Sequence, residues 1–306
     1  MSLSACSNRQ GVSQLIEDGQ SVGQLVERGN ELTQAERYEE AITLYEQAIT
    51  QDSEQSEAWF GKGDSLRRLE RHAEAINSYD EAIEIDSDDA EAWYGRGNSL
   101  IGLERYEEAI ASFDKTLEID PDYSEVWSDR GVLLMELQQY EEALISFDTA
   151  LEINSDDTNI WSNRGHLLRA LGQYDEAIAN LDRALEIDPE NSLAWNNRGI
   201  STALQERHEE ALTNYDKALE IDPDFARAWS NRGQSLIRLG RYEEALASFN
   251  KALEVDPDYS QAWNSQGGTL EILGRIPEAI ESYERAIDAD PSNQAAVNNL
   301  RRLTMR

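Results

Sequence analysis

The residues of this 306-residue chain that could do chemistry recur in copies instead of converging on one place. Aspartates gather as Asp86-Ser87-Asp88-Asp89 and Asp120-Pro121-Asp122, the oxygen-rich composition that calcium loops use. Such a loop needs a bidentate glutamate at its twelfth residue. Counted from Asp86 or Asp120, that place falls on Gly97 or Gly131, so these acids are expected to punctuate and cap helices. The three histidines have no second imidazole or cysteine at ligand spacing, which argues against zinc. His72 and His208 share one register position and are expected to pack at a turn.

Paired glutamates such as Glu107-Glu108 repeat down the chain, whereas catalysis needs one asymmetric site, so a solvated helix face accounts for them. There is no glycine-rich phosphate loop and no Gly-x-Ser-x-Gly elbow. The expectation is a chain with no cofactor and no enzymatic activity. Asparagines are more informative: Asn163, Asn197 and Asn231 stand 34 residues apart, Asn299 continues the series, and Asn196, Asn264 and Asn298 hold the preceding register position. An amide donates and accepts at once, so a row of them can pair with both backbone groups of an extended peptide.

The charge narrows the partner. With 61 acidic against 27 basic side chains the formal net charge is −34, which repels phosphate backbones and anionic lipid surfaces. Nucleic acid is excluded as a partner on that ground, and no stretch is apolar enough to span a membrane. The single cysteine, Cys6, allows no intrachain disulfide. Leu3-Ser4-Ala5-Cys6 resembles the tetrapeptide at which bacterial lipoprotein signals are cut, but no basic and apolar segments precede it. A chance match in a cytoplasmic chain is expected, with a lipid anchor on Cys6 as the alternative if the start is truncated.

The elements that must position these residues come from one regularity. Seven tryptophans stand at 59, 93, 127, 161, 195, 229 and 263, each 34 residues after the last. Placing Trp at position 4 of a 34-residue unit sets eight copies beginning at 22, 56, 90, 124, 158, 192, 226 and 260. They cover residues 22–293, between an N-terminal segment 1–21 and a C-terminal capping helix 294–306. Length alone suggests two domains, and the repeat replaces that with one array. Position 8 is Gly and position 20 Ala in every copy; position 24 is aromatic except at Leu181, and position 32 is often Pro.

Positions 4, 8 and 11 share one face of a first helix. Positions 20, 24, 27 and 28 share one face of a second, after a turn near positions 14 to 17. Asp-Pro ends the second helix, because the residue before Pro is pushed out of the α region. Val297, Leu300 and Leu303 give the last helix an apolar side that covers the final copy. Val12, Leu15 and Ile16 suggest a short helix within 1–21, after a disordered first ten residues.

Position 7 is basic in copies one to seven, and position 25 is acidic 16 residues before it, as in Asp80/Arg96 and Asp114/Arg130. At the last junction both change together, to Asn250 and Gln266. Pairing within one copy would not match that change, so a ladder of partly buried ion pairs between consecutive copies is expected to fix their stacking.

The order Trp, Gly, Tyr, Ala, Phe, Pro over 34 residues resembles the tetratricopeptide repeat, with basic position 7 as a systematic departure from its usual Leu. The Asn-Arg-Gly and Gly-Arg-Tyr-Glu-Glu style of the copies resembles bacterial members. The resemblance implies an all-α fold, a right-handed superhelical α-solenoid of helix-turn-helix repeats. It also implies that positions 2, 5, 6, 9, 12 and 13 of the first helix line an inner groove that takes a protein or peptide. The asparagine row then resembles the asparagine ladder in the repeat region of O-linked N-acetylglucosamine transferases, although no transferase domain is present. Candidate groove residues on this basis are Asn163, Asn196, Asn197, Asn231, Asn264, Asn299, His166, Arg169, Arg227, Phe60 and Tyr94.

Copies one to four set Glu27, Glu57, Asp64, Glu91, Glu125, Asp129 and Glu136 against Arg67 and Arg68. Copies five to eight set Arg169, Arg227 and Arg238 against Glu271. Phe60 and Tyr94 are the only aromatics at groove positions and so are candidate anchors, against a reading in which they pack between neighbouring first helices. The expected function is a noncatalytic scaffold that binds an extended peptide or partner protein. The alternative is a structural or self-associating module with an empty groove. Oligomeric state, partner and pathway are not legible in the sequence.

Overall fold

The computed structural model describes residues 19–305, which form only helices and turns. The chain divides into two compact units, Met1–Ile153 and Asn154–Arg306. The first holds α1 (Val22–Gln34), α2 (Tyr38–Gln51), α3 (Ser56–Arg68), α4 (His72–Ile85), α5 (Ala90–Ile101), α6 (Tyr106–Ile119), α7 (Ser124–Glu136) and α8 (Tyr140–Ile153). The second holds α9 (Thr158–Ala170), α10 (Tyr174–Ile187), α11 (Ser192–Leu204), α12 (His208–Ile221), α13 (Ala226–Arg238), α14 (Tyr242–Val255), α15 (Ser260–Ile272), α16 (Ile276–Ala289) and α17 (Gln294–Thr304). Odd-numbered helices α1 to α15 are the first helices of eight tandem pairs, and they start where the tryptophan register places each copy. Cys6 and the short helix expected around Val12, Leu15 and Ile16 lie outside the described residues.

Each register residue has a local task. The turn between paired helices passes through a left-handed residue at position 15: Glu36, Glu70, Glu104, Gln138 and Glu206 at φ near 60°, and Gly172, Gly240 and Gly274 near 75°. The next N–H then bonds back to position 11, as Arg105 N to Leu100 O at 2.9 Å, which satisfies carbonyls the first helix leaves open. A non-glycine residue there costs roughly 1–2 kcal/mol, offset by glycine's entropy cost of about 0.5–1 kcal/mol. Glu104→Gly is therefore expected to stabilise the chain by about 0.5 kcal/mol, and Gly240→Ala to cost about 1 kcal/mol, read as shifts in the urea midpoint.

Second helices end at position 30, where the Asp or Asn at position 31 folds its carboxylate or amide oxygen onto the N–H two residues on. Asp120 Oδ1 to Asp122 N is 3.1 Å and Asp222 Oδ1 to Asp224 N is 3.0 Å. Each tryptophan indole N–H donates to the carbonyl of position 32, Trp127 to Pro121 at 2.9 Å and Trp263 to Pro257 at 2.8 Å. Asp89, Asp157, Asn191 and Asn293 cap the following first helices. The aspartate clusters thus serve backbone geometry, and among the described residues no group of three or more His, Cys, Asp or Glu gathers to hold a metal.

The core is local to each pair and its neighbour. Phe113 lies with Leu100, Ala109, Leu117 and Val126, and Phe249 with Leu212, Leu236 and Ala245. Position 8 glycines face the position 24 side chain of their own copy, a ring in all but Leu181: a Cβ on Gly97 would lie 2.5 Å from the Phe113 ring. At the C-terminal end Leu300 and Leu303 pack on Leu270 and Tyr283, which covers the last pair.

The ion-pair ladder runs through both units. Lys62 reaches Glu46 at 2.9 Å, Arg96 Asp80 at 2.6 Å, Arg130 Asp114 at 2.7 Å, Arg198 Asp182 at 2.6 Å and Arg232 Asp216 at 2.7 Å. The basic side chains are only 19–21% exposed. The same guanidinium also donates from Nη1 to position 23 of its own copy, Arg96 to Ser112 at 2.8 Å and Arg198 to Asn214 at 2.7 Å. Arg96, Arg130 and Arg232 lie 5.8–5.9 Å from the ring centres of Trp93, Trp127 and Trp229. The last junction substitutes two amides, Gln266 Nε2 donating to Asn250 Oδ1 at 2.7 Å.

Candidate functional site

Neighbouring first helices touch, α1 with α3 and α3 with α5 in the first unit and each neighbouring pair from α9 to α17 in the second, while α5 meets α7 through Tyr94 and Asp129, so within each unit their exposed residues form a continuous face. In the second unit that face carries the asparagine row. Asn163 and Asn197 are half-buried, and their amides bond no other described group. Asn231 is also half-buried but gives an N–H to Asn196 Oδ1 at 2.9 Å, and Asn299 gives one to Asn264 Oδ1 at 3.1 Å. Asn196 is 4% exposed, so it supports Asn231 from below and does not itself face solvent. The row is thus built from two kinds of amide, an outer one at position 6 and a supporting one at position 5.

Arg169, Arg227 and Arg238 form no ion pair among the described residues, although the chain carries 61 acids. Burial holds the Arg169 guanidinium below its ordinary value, with Tyr215 and Tyr174 nearby pulling the other way. Its Nε is buried without a hydrogen-bond partner. Arg227 and Arg238 are exposed, as is the His166 side chain. Glu271, the acid of this face, is held by Arg302 of α17, so Arg302 joins the face.

A cavity of about 200 Å³ opens between α11 and α13, lined by Leu204, His208, Tyr215, Asn231, Gln234 and Arg238 among others. Leu204 is 48% exposed beside it, and His208 Nδ1 is buried without a partner. Sequence reading placed His208 in turn packing and passed over Gln234. The missed signal was that position 17 of one copy lies against the groove positions of the next.

The first unit's face is aromatic and acidic. Phe60 packs on Tyr79 at 6.0 Å between ring centres, and Tyr94 on Phe113 at 5.7 Å and Tyr123 at 5.4 Å. The Tyr94 hydroxyl donates to Asp129 at 2.8 Å and Glu125 at 3.0 Å. Burial pushes the Asp129 carboxyl up, against the hydrogen bond from Tyr94. Asp64 is taken by Arg67 at 2.5 Å, with Arg68 at 3.8 Å. Tyr94 is thus committed to joining α5 to α7, while Phe60 keeps a partly open ring.

Among the described residues no helix is long and apolar enough to cross a membrane. A family profile described as "Tetratricopeptide repeat" matches residues 26–90, 64–124 and 230–294, and two more of that description match 156–223 and 100–167. A search of curated protein sequences returns no match. Among solved structures the chain is similar to YrrB, described as a TPR protein with an unusual peptide-binding site. Identity is 32%, over 60% of this chain and 95% of that one, with a TM-score of 0.52. A tetratricopeptide repeat protein from Parabacteroides merdae is 20% identical over 82% of this chain and all of its own, at TM-score 0.65. The Cut9–Hcn1 hetero-tetramer structure aligns over 91% of this chain and 55% of that one, at 16% identity and TM-score 0.63.

Proposed function

Because the chain belongs to the tetratricopeptide repeat family, a family of protein-interaction scaffolds, we propose that it is a noncatalytic scaffold that holds an extended peptide segment of a partner protein on its first-helix faces. The observation that carries this reading is the combination of unbonded amides and unpaired cations on one face of so acidic a chain. Asn163 and Asn197 leave donors and acceptors open at repeat spacing, which suits a peptide backbone. Arg169, Arg227 and Arg238 suit acidic side chains or a carboxylate on the same segment. The cavity at Leu204 and Gln234 suits one apolar side chain with a polar end. YrrB, described as having an unusual peptide-binding site, supports the same use of the fold.

In the first unit Phe60 is the better anchor of the two aromatics, since Tyr94 is held by α7, and the acids around Phe60 favour basic or apolar residues. Position 6 amides at about 1 kcal/mol each give an expected loss of about thirtyfold in affinity for Asn163→Ala with Asn197→Ala, measured by calorimetry against a captured partner. Asn231 is left intact there because it also satisfies buried Asn196. Unchanged affinity would overturn the backbone-pairing reading. Light scattering that finds the chain self-associated, with partner binding lost on dilution to monomer, would favour the structural module instead.

A further inference from the structure

The last repeat junction lacks the ladder's cation, and a cavity of about 420 Å³ stands there. It lies between α14 and α16 and is lined by Asn250, Trp263, Gln266 and Ser282, with Glu243 and Glu281 among the acids around it. The first four occupy positions 25, 4, 7 and 23; elsewhere position 7 carries a cation and the other three surround it. At the Arg130 junction the equivalent set is Asp114 at 2.7 Å, Ser146 at 2.7 Å and the Trp127 ring centre at 5.8 Å. The protein therefore displays, several times over, how this pocket wall holds an arginine.

At the final junction the indole and the serine of that wall are kept, its carboxylate is replaced by the amide of Asn250, and the arginine is gone. Gln266 takes up both polar positions that an arginine bonds elsewhere, donating to Asn250 Oδ1 and accepting from Ser282 Oγ, each at 2.7 Å, so the indole is the part of the wall left open. Its shorter neutral side chain leaves Trp263 with no cation over its ring among the described residues. A second change accompanies the first. Position 22 is uncharged in the other seven copies, alanine in three of them (Ala111, Ala179 and Ala247), and is Glu281 here, exposed at the cavity wall. Glu243 and Glu281 form no ion pair among the described residues, and the cavity's one cation, Arg275, is engaged by Glu278. The site has lost its internal cation and the carboxylate paired with it, gained a different carboxylate at Glu281 and kept an open aromatic face.

We propose that this cavity receives an arginine side chain of a partner protein, its guanidinium over Trp263 and bridged to Glu281 and Glu243. The site is separate from the asparagine face, and either can fail without the other. A guanidinium suits it better than an ammonium because its planar group stacks on indole while donating sideways to carboxylates.

The test uses the full chain labelled with 15N, whose seven tryptophans give seven indole N–H signals. The probe is an acetylated and amidated Gly-Arg-Gly peptide, with its citrulline analogue as the neutral isostere. The expected result is a saturable shift of the Trp263 signal, assigned through Trp263→Phe, well above that of the other indoles, and none with citrulline. Glu281→Ala, which places there the residue of three other copies, is expected to weaken the shift about fivefold. Asn250→Asp with Gln266→Arg, which restores the ladder, is expected to abolish peptide binding while the Trp229 signal stays in place. A Trp263 shift no larger than the rest, an equal response to citrulline, or full binding by the ladder-restoring variant would overturn the proposal.

Discussion

Gly97→Ala is expected to destabilise the chain by about 2 kcal/mol, while the same change at Gly165 leaves stability within about 0.5 kcal/mol of wild type. The added methyl is identical and both glycines lie inside a first helix, so propensity alone predicts a gain of about 1 kcal/mol at each. What differs is the neighbour. On Gly97 the new Cβ meets Phe113 Cε1 at 2.5 Å and Cδ1 at 2.7 Å, with Ala109 O at 3.4 Å behind. Phe113 is fully buried, and Tyr94 at 5.7 Å and Leu117 stand against it, so the ring has nowhere to go without moving α6.

Overpacking of that kind costs about 1–3 kcal/mol and outweighs the propensity gain. On Gly165 the nearest atom is Leu181 Cγ at 3.1 Å, an aliphatic side chain that can change rotamer, with Ala177 O at 3.2 Å. Leu181 is the one copy in which position 24 is not aromatic. Urea denaturation of both variants reads the difference directly. Equal losses at the two sites would mean that backbone approach, and not the ring, demands glycine at position 8.

The contrast also marks what the sequence makes legible. Trp, Gly, Ala and the position 24 ring recur because packing must recur, and periodicity alone locates both helices, the turn and the stop. The ladder was legible for a different reason: Asn250 and Gln266 change as a pair, and only pairing between copies matches that change. The second half of the ladder was not. Ser112, Ser146 and Asn214 are small polar residues of a kind usually left in water, and nothing in their identity announces a buried bond to Arg96, Arg130 or Arg198.

The binding face was legible as a list of residues and not as an arrangement. Asn196 and Asn231 look equivalent in sequence, yet one is buried beneath the other, because positions 5 and 6 are about 100° apart around a helix. Tyr94 reads as a free anchor until Asp129, 35 residues on, is seen to accept a hydrogen bond from its hydroxyl. The cavity at Trp263 depends on the length of one side chain against its neighbours, a volume that no periodicity encodes.

Arg130→Ala should cost about 2–3 kcal/mol, the larger of the ladder effects. It removes a charge-assisted bond to Asp114, a bond to Ser146, the stacking on Trp127 and the packing of an aliphatic stem. Arg130 is 19% exposed and Asp114 47%, so water screens the carboxylate and the cost stays below that of a fully buried pair. Asp114→Ala leaves the guanidinium its serine and its indole, and about 1 kcal/mol is expected. The informative variant copies the neutral junction, Asp114→Asn with Arg130→Gln, since Asn250 and Gln266 already make that bond at 2.7 Å.

It should cost less than Arg130→Ala, because no buried polar group is left unpaired. A double-mutant cycle over Arg130 and Asp114 is expected to give about 1 kcal/mol of coupling at low salt, shrinking in 1 M NaCl where exposed charge is screened. Coupling below about 0.3 kcal/mol would mean that the arginine acts through Trp127 and Ser146 alone. The acid at position 25 would then set no stacking, and its change to Asn250 opposite Gln266 would need another cause.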